Sequence, residues 1–181
     1  MVERIGDSLA EFFVSDEERG ADLAPGVMEG PEAADAAGDR ELMVFWVADE
    51  LYAVDIDEIQ EIMKVPEITA VPRVDSSVLG IISLRGTVVP LLDLRRVLGL
   101  DVHDLTRQAR ILVIKAGGDP IGLVVDRASN VVRIHEESIE PMPVTMQPEK
   151  MELIEGVGRA GAQLVIILDV PAVVRLMERV A

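Results

Sequence analysis

A weak internal duplication constrains the fold of this chain more than any other feature of its sequence. The segments YAVDIDEIQEI, from Tyr52, and GLVVDRASNVV, from Gly122, superpose so that Asp55 meets Asp126. The same offset of 71 residues carries Ile68 to Ile139 and Pro72 to Pro143. Further on, an offset of 76 carries Gly80 to Gly156 and Leu92-Asp93-Leu94 to Leu168-Asp169-Val170. One small insertion in the Pro/Met stretch near 143–151 reconciles the two offsets. Each match is slight alone, but four in the same order define two related units of about 70 residues.

The units consist of short β-like runs. Residues 42–47 and 51–54 flank Ala48-Asp49-Glu50, and residues 111–114 and 121–125 flank a Gly-rich stretch at 115–120, which reads as two hairpins. Residues 154–157 and 164–168 flank a loop containing Gly158 and Gly161. Pro171 stands at a first helical position, and Val173, Val174, Leu176, Met177 and Val180 follow as the apolar face of a closing helix. With aromatic residues scarce, Val, Ile and Leu must supply the packing, which favours sheet. So few short strands cannot cover both faces of an open sheet. A mainly β fold of small closed barrels with a C-terminal helix is expected.

Residues 15–40 are rich in Ala, Gly, Glu and Asp without an apolar period, and are expected to be disordered. Before them, Ile5, Leu9, Phe12 and Phe13 stand at helical spacing, either a short amphipathic helix or a fraying terminus. Positions 1–40 hold 11 acidic against 3 basic residues, which is half of the net charge of −16. Such acidity repels phosphate backbones and anionic headgroups, and no basic stripe offsets it, so nucleic acid is not an expected partner. The absence of cysteine excludes disulfides, thiolate metal sites and thiol nucleophiles. The first residues do not form a secretory signal, and Asp93, Asp126 and Asp169 interrupt the longest apolar stretches. A cytoplasmic protein without membrane insertion is expected.

Candidate chemistry is sparse. A duplicated pair of strand-end aspartates, Asp55 and Asp126, invites comparison with the shared-proton dyad of an aspartic-type hydrolase. Neither is followed by the small residues that let a backbone wrap a catalytic carboxylate, and polar residues at a strand end explain them as well. His103 and His135 lie in polar segments without zinc-ligand spacing. No phosphate-binding glycine loop or nucleophile elbow occurs. No catalytic group, metal site or cofactor is expected, which leaves contact as the function. Within VLGIISLRGTVVPLLDL, Arg85 stands at a tight bend between two apolar runs, as turn filler or as a contact residue. Pro90 places the following strand at an edge or a bulge, because proline donates no ladder hydrogen bond.

YAVDIDEIQEI, ITAVPRV, VLGIISLRGTVVPLLDLRRVLGL, IGLVVDRASNVVRI and IEGVGRAGAQLVIILDV, in this order, resemble the CheW family of chemotaxis coupling proteins over residues 41–178. The resemblance implies two intertwined five-stranded SH3-like barrels, here divided as roughly 41–105 and 106–170, behind an acidic leader at 1–40. It implies a non-catalytic adaptor between the cytoplasmic tip of methyl-accepting chemoreceptors and the regulatory domain of a CheA-type histidine kinase. Association with other CheW-like domains and recruitment to chemoreceptor arrays are part of the same implication. Carried over by motif, the receptor- or kinase-binding residues are Ile59, Glu61, Gly80, Arg85 and Val131. Ser83 departs from the asparagine usual before this turn, leaving open how the turn is fixed. The acidic leader departs too, and raises the alternative of a specialised coupler competing with a main one.

Overall fold

The computed structural model describes residues 38–115, 118–142 and 152–180. The expectations for residues 4–14 and 15–37, and for the insertion near 143–151, lie outside these or largely so. Among the described residues ten strands form in chain order: β1 (Asp39–Val47), β2 (Glu50–Asp55), β3 (Ile59–Lys64), β4 (Val78–Leu84), β5 (Thr87–Asp93), β6 (Arg110–Ile114), β7 (Ile121–Val125), β8 (Arg127–His135), β9 (Ile154–Ala160) and β10 (Gln163–Leu168). A one-turn helix α1 (Leu94–Val97) follows β5, and the closing helix α2 (Val170–Val180) follows β10. Two strand boundaries differ from the sequence reading by three residues, the start of β1 and the end of β9. Strand β1 starts at Asp39, because Arg40 is drawn into ion pairs with Asp55 and Glu155. Gly158 lies within β9, opposite Val165 and with the Ile134 side chain close over it, so that an added Cβ would meet the Ile134 Cδ1 at 2.9 Å.

The duplication is visible strand for strand: β1–β5 and α1 correspond to β6–β10 and α2. Thr69 exchanges both backbone hydrogen bonds with Ile81, and Glu140 does the same with Val157. These pairs are related by the offsets 71 and 76 read from the sequence. Asp93 and Asp169 are equivalent as well. The first accepts from the Arg95 N–H and the second from the Ala172 N–H, so each caps a helix N-terminus.

The strands make two five-stranded sheets, in the orders β8-β1-β2-β10-β9 and β3-β6-β7-β5-β4. The edge strands of each sheet are brought together by the Glu140–Val157 and Thr69–Ile81 bridges, which close the two barrels. Each barrel combines two strands of one repeat with three of the other. A division near 105 therefore does not separate them: the second barrel is the continuous stretch β3–β7, and the first is built from the segments on either side. The chain passes between barrels twice, through a 3-10 turn at Ile56–Glu58 and at Asp126. The duplicated aspartates thus mark the two crossings.

Burial explains why β1, β2, β6 and β7 read as uninterrupted apolar runs. Leu42, Val44, Leu51 and Ala53 face the interior of the first barrel with Ile134, Val165 and Ile167. Ile111, Val113 and Val124 face that of the second with Ile82, Val89 and Leu91. The alternate residues, among them Met43, Phe45, Tyr52, Val54, Leu112, Ile114 and Leu123, pack between the barrels with Val173 and Met177 of α2. These strands are covered on both faces, so period-two alternation disappears. Each fully buried large aliphatic or aromatic side chain contributes about 1.5–3 kcal/mol. Pro90 sits in a strand that is internal to its sheet, not at an edge, and a bulge between Val78 and Gly80 does lie beside it in the pairing with β4. The proline is tolerated because the ladder between β5 and β7 begins one residue later, at Leu91.

Candidate partner-binding site

The β4–β5 hairpin closes in two residues, Arg85 and Gly86, between the paired Leu84 and Thr87. Both turn residues have positive φ, +50° for Arg85 and +87° for Gly86. This is one of the two turn geometries that follow the twist of the flanking strands, and it favours Asn-Gly or Gly-Gly. An arginine in the left-handed region is disfavoured by roughly 1–2 kcal/mol. At the equivalent bend of the second repeat the residue is Gly161, with φ +61°. The fold therefore asks for a left-handed residue at this bend, and one repeat supplies glycine while the other supplies a cation. No side-chain hydrogen bond from Ser83 holds the turn among the described residues; backbone geometry fixes it.

The Arg85 guanidinium is 79% exposed and pairs with the Glu61 carboxylate, Nη2 to Oε2 at 3.0 Å. Glu61 lies on β3, at the opposite edge of the same sheet from β4. The structure thus joins two of the sequence-derived residues, which are 24 positions apart, across the seam of the second barrel. Ile59 is on the same strand two residues earlier, yet it is 1% exposed and belongs to the core between the barrels. A β-bulge between Ile59 and Glu61 breaks the two-residue period and turns Glu61 out while Ile59 stays in.

Gly80 is also buried. With φ +145° it lets β4 pass so close that a Cβ would lie 2.3 Å from the Thr69 carbonyl oxygen. Its equivalent Gly156 would place a Cβ 2.8 Å from the Glu140 carbonyl oxygen. Both glycines serve barrel closure, so Ile59 and Gly80 support the surface from beneath, whereas Glu61 and Arg85 form it. Val131 is 38% exposed on β8, opposite Met43, in the other barrel.

The aspartates at the crossings are held separately. Asp55 receives Nε and Nη2 of Arg40, whose guanidinium also engages Glu155. Asp126 receives Nε of Arg95 at 2.8 Å and the Ala48 N–H. Two carboxylates each locked to its own guanidinium do not share a proton, so the hydrolase dyad is not formed.

The sequence reading passed over two further surface residues. Val88 and Leu164 are 58% and 56% exposed and are related by the offset of 76. Strand alternation carried the signal: Val89 and Val165 point inward, so their predecessors point out. Leu164 lines an open groove of about 600 Å³ with Trp46, Leu51, Met142, Val157 and Ile166. Arg127 lies over the Trp46 ring, 5.2 Å from its centroid. Among the described residues no helix is long and apolar enough to cross a membrane.

Paired barrels with outward-facing aliphatic and charged residues, and duplicated carboxylates held in ion pairs, suit a protein that works by contact. Comparison with known proteins agrees. The sequence matches the CheW-like domain over residues 41–178. It is 34% identical over 134 residues to the chemotaxis protein CheW of Bacillus subtilis, covering 74% of this chain and 86% of that one. It is 35% identical over 131 residues to the chemotaxis protein CheW of Helicobacter pylori, covering 72% and 79%. The crystal structure of the scaffolding protein TtCheW from Thermoanaerobacter tengcongensis superposes with a TM-score of 0.68 at 31% identity, covering 76% of this chain and 88% of that one. The chain belongs to the CheW-like family, the coupling adaptors of chemotaxis signalling.

Proposed function

We propose that this protein couples methyl-accepting chemoreceptors to a CheA-type histidine kinase, acting in the cytoplasm at receptor arrays and performing no chemistry of its own. Arg85 carries the reading. A cation in a disfavoured backbone conformation, at a bend where the sister repeat has glycine, is there for its side chain and not for the turn. Glu61 pairs with the guanidinium, and a receptor's helical hairpin is the partner that Glu61, Arg85 and Val131 serve. Val88 and Leu164, one at the equivalent place on each barrel, supply apolar anchors for barrel-on-barrel packing with the kinase regulatory domain or with further CheW-like domains. Charged contacts of this kind set orientation and encounter rate, and a desolvated arginine anchors affinity as well.

Calorimetric titration against the cognate kinase regulatory domain and a receptor cytoplasmic hairpin tests the reading. Saturable binding of both, together with kinase activation in a reconstituted receptor membrane only when this protein is present, is the expected result. Absence of binding to either fragment overturns it.

A further inference from the structure

The two crossings between barrels are built differently. At the second, Asp126 is neutralised by Arg95. At the first, the turn Ile56–Glu58 follows Asp55 directly and adds Asp57 and Glu58. Arg40 is the cation that favours an ionised Glu58, but each of its three guanidinium nitrogens is already engaged by Asp55 or Glu155. Among the described residues no hydrogen bond reaches the half-buried Glu58 carboxyl. The charged groups around it are Asp55 at the end of β2, Arg40 on β1, Glu155 on β9 and Asp169 before α2. Asp39, Asp57 and the Arg133–Glu41 pair line the outer side of the adjoining cleft. Just past β6, the Lys115 N–H donates to the Glu58 carbonyl at 2.8 Å, and Lys115 Nζ donates to the Asp57 carbonyl. The crossing is thus stapled to the second barrel through its backbone while its side chain sits in a field of carboxylates.

We propose that Glu58 makes this crossing a proton-operated joint: the neutral carboxyl lets the turn dock against the Arg40 cluster, and ionisation loosens it. This goes beyond the adaptor reading and requires no partner. Burial, first, and then the neighbouring Asp55, Glu155 and Asp169 push the Glu58 carboxyl up to about 7, with Arg40 opposing. A solvated glutamate ionises at about 4.3. The docked form therefore holds its proton over a range where the open form has lost it. Docking is strongest at low pH and weakens as pH rises, levelling off above the folded value. Linkage makes the opening constant rise about tenfold between pH 6 and pH 8. The strand that loosens leads straight into Ile59 and Glu61, so the proton reaches the face that carries Arg85.

Two measurements on the full chain test this. The Glu58 side-chain ¹³Cδ shift, followed by NMR, is expected to titrate near neutrality. The opening constant of the Lys115 N–H, taken from hydrogen exchange after correction for intrinsic base catalysis, is expected to rise about tenfold from pH 6 to pH 8. Glu58→Gln is expected to flatten that rise and to hold the amide in its low-pH protection. Titration of Glu58 below pH 5.5, a pH-independent Lys115 opening, or a rise that persists in Glu58→Gln each overturns the proposal. The carbon titration is read on the unsubstituted protein, so poor folding of the variant does not remove the test. Partner binding enters neither readout, so failure here is distinct from failure of the adaptor reading.

Discussion

Replacing Arg85 by asparagine separates contact from architecture at this hairpin. Asparagine tolerates the left-handed region, so the substitution relieves most of a backbone penalty of roughly 1–2 kcal/mol. It also removes the Glu61 ion pair. With the guanidinium 79% exposed, that pair is worth about 0–1 kcal/mol. The two effects oppose each other, and stability is expected to stay level or rise by about 1 kcal/mol. For a chain of this size that is a change in Tm between about 0 and +4 °C. Binding should respond quite differently. Loss of an anchoring side chain at about 2 kcal/mol weakens the receptor complex roughly thirtyfold. Thermal denaturation followed by circular dichroism reads the first quantity and calorimetry against the receptor hairpin reads the second. A fall in Tm beyond about 8 °C would mean that Arg85 braces the barrel. An affinity within about threefold of the parent would return it to turn filler.

Gly80→Ala is expected to destabilise by more than about 3 kcal/mol, because the new methyl meets a backbone carbonyl and the residue keeps a positive φ; chemical denaturation measures it, and a loss under about 1 kcal/mol contradicts the close approach. Ile59→Ala should cost about 2–5 kcal/mol through the cavity it leaves, with receptor affinity preserved at temperatures where the variant is folded; a specific affinity loss at unchanged Tm would instead make Ile59 a contact. Val88→Asp and Leu164→Asp should each leave Tm within about 2 °C of the parent while weakening the kinase complex at least tenfold by calorimetry. Equal affinity in both variants would remove the apolar anchors from the kinase interface.

Much of the fold is legible because the repeat constrains it. The equivalence of Gly80 with Gly156, and of Asp93 with Asp169, is set by close packing and by helix capping, both of which leave a local residue signature. The exchange of strands between barrels leaves none. Residues 51–54 and 59–62 look like neighbours that should pair with each other, as consecutive strands usually do, yet the turn at Ile56–Glu58 sends the second into another sheet. Two similar repeats offer nearly the same strand partners either way, so pattern alone does not decide between them. The site is only half legible for a related reason. Ile59 and Glu61 share a face under strict alternation, and only the bulge between them separates a core residue from a surface one. The pairing of Glu61 with Arg85 depends on barrel closure, which no local pattern encodes.

The exchanged strands also bear on how such a chain could arise. One repeat alone contains two strands of one barrel and three of the other, so it can close neither. Two separate copies contain a full set for both, and they would complete each other as a reciprocally swapped pair. Joining them end to end makes that partnership intramolecular and independent of protein concentration. It also frees the halves to diverge. One half has glycine at its hairpin bend, and the other carries Arg85 there without repeating it on its twin. The pseudo-symmetry of the molecule is thus that of a dimer held in a single chain, broken at the hairpin bend where Arg85 stands opposite Gly161.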